Sequence, residues 1–327
     1  MRHRRILGIS ALAAAIISVA TACSGPASGA GQSTPTATNK VVGIVTISAT
    51  DANNARVIAA VKSDAESKGW KVNVVDAQGS ADQANAAMTS FVSQKVGMIL
   101  DLVFPTSSLG TGLAAARGAG IPVGTWGGGL GTGVVATTGD GAPFATPSTE
   151  ALVQDIGETG SVLALTYNTG QVCRDRTAIF DSIIAKHPGI KVTKNEVNIP
   201  GQLQDGAKYA SAWLAAHPEG SGKLAIWGCW EDPTLGAISA LKQNGRTDVL
   251  TYGINGSSTA IKSVQAGDLT NDVYEDAGAE GKALFETVLE AIESGSSWKA
   301  KTVDVPGIVV TKDNIDSFLK EHPDALK

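Results

Sequence analysis

From Val41 onward the chain alternates two kinds of apolar pattern. Val41-Val42-Gly43-Ile44-Val45 is an unbroken apolar run, as expected of a strand covered on both faces. Asp51 to Gly69 then sets Val57, Ile58, Val61 and Ala65 at helical spacing. Lys71 to Val75 reads as a second strand, and the helix after it carries Ala84, Ala87, Met88, Phe91 and Val92 three and four residues apart. A strand over Met98 to Val103, a helix over Ser107 to Ala119 and a strand over Ile121 to Trp126 continue the rhythm. Repeated strand–helix units predict an α/β fold with a parallel, doubly wound sheet.

The rhythm breaks between Gly127 and Thr149, a stretch rich in Gly, Thr, Pro and Ala, and then resumes. Strands are expected at Val162 to Thr166, Ile190 to Val197, Leu224 to Trp227 and Val249 to Ile254. The helices between them carry Ile179, Phe180, Ile183 and Ile184, then Tyr209, Trp213 and Leu214, then Leu235, Ile238 and Leu241. A long helix near the end shows Leu284, Phe285, Val288, Leu289 and Ile292. Two similar α/β lobes are the simplest account, in keeping with 327 residues at ~100–200 per domain.

The start of the chain has a different character. Arg2, Arg4 and Arg5 precede an apolar run from Ile6 to Ala20, too short for a spanning helix of ~20 residues. Small residues then lead to Cys23. This is the build of a secretory signal over residues 1–22. Ala20-Thr21-Ala22-Cys23 resembles the bacterial lipobox, with Ala20 where leucine usually stands. That resemblance implies a lipid on Cys23 and a protein held at the outer face of the cytoplasmic membrane. Residues 24–39 hold only Ser, Gly, Pro, Ala, Gln, Thr and Asn, the composition of a flexible tether.

Charge and rare residues exclude several classes. Removing residues 1–22 takes away three arginines and no acid, leaving 23 basic against 31 acidic residues. A nucleic-acid partner is therefore not expected. Three cysteines rule out a thiolate zinc scaffold. Three of the four histidines stand in His-Pro pairs, His187-Pro188, His217-Pro218 and His322-Pro323, which suit helix ends. The fourth, His3, lies in the leader, so neither a Ser-His hydrolase nor a zinc enzyme is expected. Gly127 to Gly133 is glycine-rich but lacks the Lys-Ser/Thr of a phosphate loop. The neighbouring acids Glu231-Asp232 and Glu275-Asp276 read as a helix N-terminus and a loop rather than a glycosidase pair. No cofactor or metal is implied.

In doubly wound sheets ligands sit beyond the carboxyl ends of the strands. Those ends here carry Ser48, Asp51, Asn53 and Asn54; Phe104-Pro105-Thr106-Ser107; Trp126 and three glycines; Cys173-Arg174-Asp175-Arg176; Cys229-Trp230-Glu231-Asp232; Tyr252-Gly253-Ile254-Asn255-Gly256; and Asp272. With Lys68-Gly69-Trp70 through Gln78 and Leu235-Gly236-Ala237, the order resembles the ribose-type sugar-binding proteins of ABC importers, which have the type I periplasmic binding fold. The resemblance covers nearly all of Val41 to Val310. It implies two lobes that close on a small sugar or polyol and deliver it to permease subunits in the membrane.

By the resemblance, Arg174 matches the arginine that reaches ligand oxygens, Asn255 a family aspartate, Asp272 a glutamine-like acceptor at the hinge and Trp230 an asparagine. Trp126-Gly127-Gly128 replaces the family's Asp-Arg pair, and Asn53 and Asn54 stand where aromatic rings stack on the sugar. Stacking then falls to Phe104, Trp126 and Trp230. The expected ligand site is Ser48, Asp51, Asn53, Asn54, Phe104, Trp126, Arg174, Trp230, Asn255 and Asp272. These departures leave a small aromatic or acidic nutrient, a receptor-sensor role and an exported glycosidase as the other readings. Cys173 and Cys229 are the two thiols left after lipidation, and an exported protein favours joining them as a disulfide. The expected lobes are 40–140 with 273–301, and 141–272 with 302–327, with hinge crossings near Asp140, Asp272 and Thr302.

Overall fold

The structure is a computed structural model that describes residues 39–157 and 159–326. The leader, Cys23 and the tether lie outside the described residues. Among the described residues, no helix is long and apolar enough to cross a membrane.

The first lobe follows the apolar rhythm closely. Strand β1 (Val41–Thr46), helix α1 (Ala52–Ser67), β2 (Lys71–Asp76), α2 (Ala81–Ser93), β3 (Met98–Leu102), α3 (Gly110–Gly118) and β4 (Val123–Trp126) follow one another. Two elements then occupy the stretch where the pattern is broken: β5 (Val134–Thr138) and α4 (Ala142–Ile156). Helix α4 tolerates Pro143 in its first turn and carries Pro147 inside, yet buries Phe144, Leu152 and Ile156. Its Pro, Thr and Ser positions hide that apolar face from a periodicity search.

The second lobe contains β6 (Gly160–Thr166), α5 (Gln171–Ile184), β7 (Ile190–Glu196), α6 (Gln202–Ala216), β8 (Leu224–Gly228), α7 (Glu231–Gln243), β9 (Val249–Asn255), α8 (Ser258–Ala266) and β10 (Asn271–Tyr274). The chain then returns through α9 (Ala277–Ser294) and β11 (Lys301–Val303) before β12 (Ile308–Thr311) and α10 (Ile315–Glu321). His217 and His322 are the C-cap residues of α6 and α10, where the His-Pro pairs place them.

Each lobe has a six-stranded sheet, in the orders β2-β1-β3-β4-β5-β11 and β7-β6-β8-β9-β10-β12. All pairings in the first are parallel. The second is parallel except for its last pair, β10 with β12. Helix α9 packs on α1, β4 and β5, so it belongs to the first lobe. Helix α4 packs on α5, β9 and β10, so it belongs to the second.

The chain therefore crosses between lobes at 139–141, 275–276 and 304–307. Two of the expected crossings shift. Asp272 lies inside β10, paired with Gly253, and Thr302 lies inside β11, paired with Thr137 of the first lobe. Strands β10 and β11 are four and three residues long, and sequences such as Lys-Thr-Val carry no periodic signal.

Candidate functional site

The carboxyl ends of both sheets face each other across a cavity. The centres of water molecules can occupy about 50 Å³ of it. The lobes already touch around it: the Gln171 N–H donates to the Val103 carbonyl at 3.0 Å. Val103 holds φ at +82°, an unfavourable conformation for a β-branched residue. Its own N–H donates to the Trp126 carbonyl at 2.9 Å. Gly127, at φ +67°, is equally constrained, because a Cβ there would lie 2.1 Å from Val172 of the opposite lobe.

The first lobe contributes Ser48, Asp51, Asn54 and Trp126 to the cavity wall. Asp51 is the N-cap of α1 and accepts from the Asn54 N–H at 2.9 Å, which fixes both side chains at one helix end. Asn54 Nδ2 in turn donates to the Ser48 carbonyl at 2.9 Å. Burial, then the charge of Asp232, pushes the Asp51 carboxyl up to about 7, against two helpful backbone N–H groups. The second lobe contributes Tyr167, Arg176, Gln202, Trp230 and Asn255. Tyr167 and Trp230 meet edge-on with ring centroids 6.1 Å apart. Trp227, by contrast, is fully buried and stacks on Phe180 at 4.4 Å.

Four of the ten expected site residues lie elsewhere. Phe104 is fully buried in the apolar core. Asp272 is buried behind the cavity, beside Gly253 and Glu231. Asn53 turns toward the hinge and donates to Glu275 Oε2 at 2.7 Å. Arg174 bonds Gln171 and the Asn168 carbonyl, at the latter 3.5 Å away.

The arginine in the cavity wall is Arg176, 1% exposed. The signal for it was helical phase. Cys173 and Arg176 are three residues apart and share a face of α5, whereas Arg174 does not. Cys173 and Cys229 sit with sulfurs 2.22 Å and Cα atoms 5.2 Å apart, immediately beside Arg176, which bonds the Cys229 carbonyl at 3.1 Å.

Arg176 is the centre of a buried polar cluster at the hinge. Nε donates to the Asp140 carbonyl at 3.2 Å, Nη1 to Asn255 Oδ1 at 2.7 Å and Nη2 to Glu275 Oε2 at 2.9 Å. Asp140 Oδ1 stands 3.6 Å from Nη2. Asp140 and Glu275 sit on two of the three crossings, and Glu280 on α9 joins them by accepting from Trp126 Nε1 at 2.7 Å. One oxygen from each of these three acids lies within 4.8 Å of the others.

Three carboxylates around one guanidinium cannot all be charged cheaply. Burial, then the negative neighbours Glu275 and Asp140, drives the Glu280 carboxyl well above its ordinary range. Burial and Glu275 do the same to Asp140, with Arg176 only partly offsetting them. For Glu275 burial also pushes upward, but Arg176 and hydrogen bonds from Asp140 and Glu280 overcome it and leave the carboxyl below its ordinary value. The cluster thus sets Glu275, favoured as the carboxylate by Arg176, against Asp140 and Glu280, whose neutral forms are favoured.

Two six-stranded lobes, three crossings and a cavity at the strand ends define a type I two-lobed solute-binding protein. The chain belongs to the periplasmic binding protein family, whose domain description matches residues 13–296; that family consists of extracytoplasmic binding proteins. A xylitol-binding protein of Mycolicibacterium smegmatis is 27% identical over 240 residues, 71% of this chain and 66%, just under two thirds, of that protein's length. An ABC transporter solute-binding protein from Agrobacterium vitis, solved with bound allitol, superposes with a TM-score of 0.78 at 26% identity, covering 86% of this chain and 99% of that one. A Mycobacterium smegmatis solute-binding protein shares the fold, with a TM-score of 0.76 at 22% identity over 85% of this chain and 96% of that one.

Proposed function

We propose that this protein captures a small polyol or sugar between its lobes and presents it to an ABC permease. The observation that carries the reading is the cavity itself. It lies where the strand ends of both lobes converge, and aromatic side chains alternate there with hydrogen-bonding groups from both sides. Such walls suit a ligand with C–H faces and several hydroxyls. The similarity to a xylitol binder and to an allitol complex supports the polyol class. Hinge closure does the work: a ligand that contacts both lobes favours the closed form, and the closed form is what a permease can distinguish.

The lobe division proposed is 39–140 with 276–303, and 141–275 with 308–326. Cys23 is proposed as the lipid anchor and Cys173–Cys229 as a bond in the exported protein. Replacement Cys23→Ala should release the protein from membranes into the medium. Free-thiol titration of the unreduced lipidated protein should find none. The binding reading is tested by a thermal-shift screen against linear polyols, cyclitols, pentoses and hexoses. A ligand present at ~100 times its Kd adds ~2.7 kcal/mol to folding, a shift easily read. If no member of the panel stabilises the protein, the reading fails.

A further inference from the structure

We propose that the ligand of this cavity carries a positively charged amine beside its hydroxyls, an amino-polyol or amino sugar whose ammonium pairs with Asp51. The inference rests on the solute-binding reading of the same cavity and narrows it.

Consider first what the cavity offers as positive charge. Arg176 is the one basic side chain in its wall. A guanidinium has five N–H groups. Four of them bond the Asp140 and Cys229 carbonyls, Asn255 Oδ1 and Glu275 Oε2. The fifth faces the Asp140 carboxyl, 3.6 Å from Nη2. Its charge and four of its five donors are taken up inside the protein, by the ion pairs with Glu275 and Asp140 and by those four bonds. An anionic ligand would find no free cation.

The acceptors are in the opposite condition. Asp51 accepts the Asn54 N–H through Oδ1, and no basic side chain lies within ion-pairing distance of it among the described residues. Asn54 Oδ1, on the same helix end, is buried with no hydrogen-bond partner. Both residues line the cavity at the start of α1, so the Asp51 carboxyl and the unpartnered Asn54 Oδ1 stand near one another on its wall. Asp232, held by Gln202 Nε2 at 3.0 Å, adds a second negative group behind them. Asp51 is partly buried, and burial with the charge of Asp232 holds its carboxyl up at about 7; an ammonium would supply its counter-ion and up to three donors.

The aromatic walls point the same way. The Trp126 indole N–H is taken by Glu280, and the Trp230 side chain bonds Asp232. What these rings leave for a ligand is their faces, and aromatic faces attract cations as well as C–H groups. Helices α1, α5 and α7 do start at the cavity, and helix N-termini favour negative charge. At α1 and α7 the protein's own acids stand there: Asp51 caps α1, and Glu231 and Asp232 lie in the first turn of α7, while α5 opens without one.

The test uses the whole protein and two matched pairs, read by titration calorimetry at pH 7. The first pair is glycerol against 2-amino-1,3-propanediol, and the second is sorbitol against 1-amino-1-deoxysorbitol. Within a pair that binds, the amine should bind at least about tenfold more tightly, the scale of one charge-assisted contact. In Asp51→Asn that ratio should fall to about threefold or less, while the helix keeps its cap, because Asn caps as well as Asp. A thermal melt confirms that the variant folds. Hydroxyl members that bind as tightly as their amines overturn the inference and leave the solute-binding reading standing. An amine advantage that survives Asp51→Asn also overturns it. If neither pair nor the wider polyol panel binds, both the inference and the proposed function fall.

Discussion

The two lobes share a strand order but contribute differently to the cavity. The first offers the end of one helix, Asp51 with Asn54, and the short segments around Val103 and Trp126. Ser48, Asp51 and Asn54 are tied by bonds within a few residues, and Trp126 is held by Glu280 of α9. The second offers a wall tied together over long sequence distances. Cys173 meets Cys229 across 56 residues, and Arg176 reaches back to Asp140 and forward to Asn255 and Glu275. One lobe therefore resembles a set of adaptable contacts, and the other a braced frame that also holds the hinge. Similar folds can divide recognition and rigidity between them.

Breaking the frame should have the largest effect. Arg176→Met leaves Asp140 and Glu275 buried without their cation, and loss of one partner of a buried pair costs ~3–5 kcal/mol; urea unfolding should show it as a loss of that size. Opening the Cys173–Cys229 link, by reduction or by the double Ser variant, should cost about 2–4 kcal/mol for a loop of this length, again by urea melts. Equal stability of reduced and oxidised protein would remove the idea of a braced second lobe. Gly127→Ala tests the meeting of the lobes instead. An added Cβ collides with Val172 and with Asp140, and a disfavoured backbone costs ~1–2 kcal/mol besides. Ligand affinity by calorimetry should fall at least about tenfold, with less change in the melt.

A smaller effect concerns pH. Glu280 and Asp140 are held above their ordinary range by burial and by neighbouring acids. The stability that their neutral forms contribute is complete below the ordinary carboxylate range and is lost as pH rises toward their folded values. Glu275 is shifted downward, so its contribution is lost on acidification below about 4.5 instead. Urea stability should therefore decline from pH 5 to pH 8, and Glu280→Gln should make that decline shallower. An unchanged slope in the variant would mean that Glu280 is not among the proton holders.

Most of the fold was readable from the chain because its strands are continuous apolar runs and most of its helices carry clear stripes. The missed elements share a cause. Strand β5, helices α4 and α8 and strands β10 to β12 are short or mix Thr, Ser, Pro and acids with their buried positions, so tertiary packing rather than local pattern fixes them. At the site, residues on helix starts and strand ends were legible: Ser48, Asp51, Asn54, Trp126, Trp230 and Asn255 all reach the cavity. Arg176 was passed over for Arg174, although helical phase separates the two. Glu275 and Glu280 could not be assigned a role without knowing that the chain crosses between lobes at 275–276 and returns along α9.

Val103 has one more consequence. Its φ of +82° is a conformation that costs on the order of 1–3 kcal/mol, and in the closed form one bond that holds it comes from Gln171 of the other lobe. Opening the cleft would remove that bond and leave only the Trp126 carbonyl bond of the same lobe to hold the strained peptide. The latch is therefore also a spring, and part of the energy for letting go is already wound into the gripping state. Val103→Gly removes the tension, and stopped-flow measurement should show ligand leaving several-fold more slowly. A carrier must surrender its cargo as surely as it holds it, and here the same residue serves both ends of the journey.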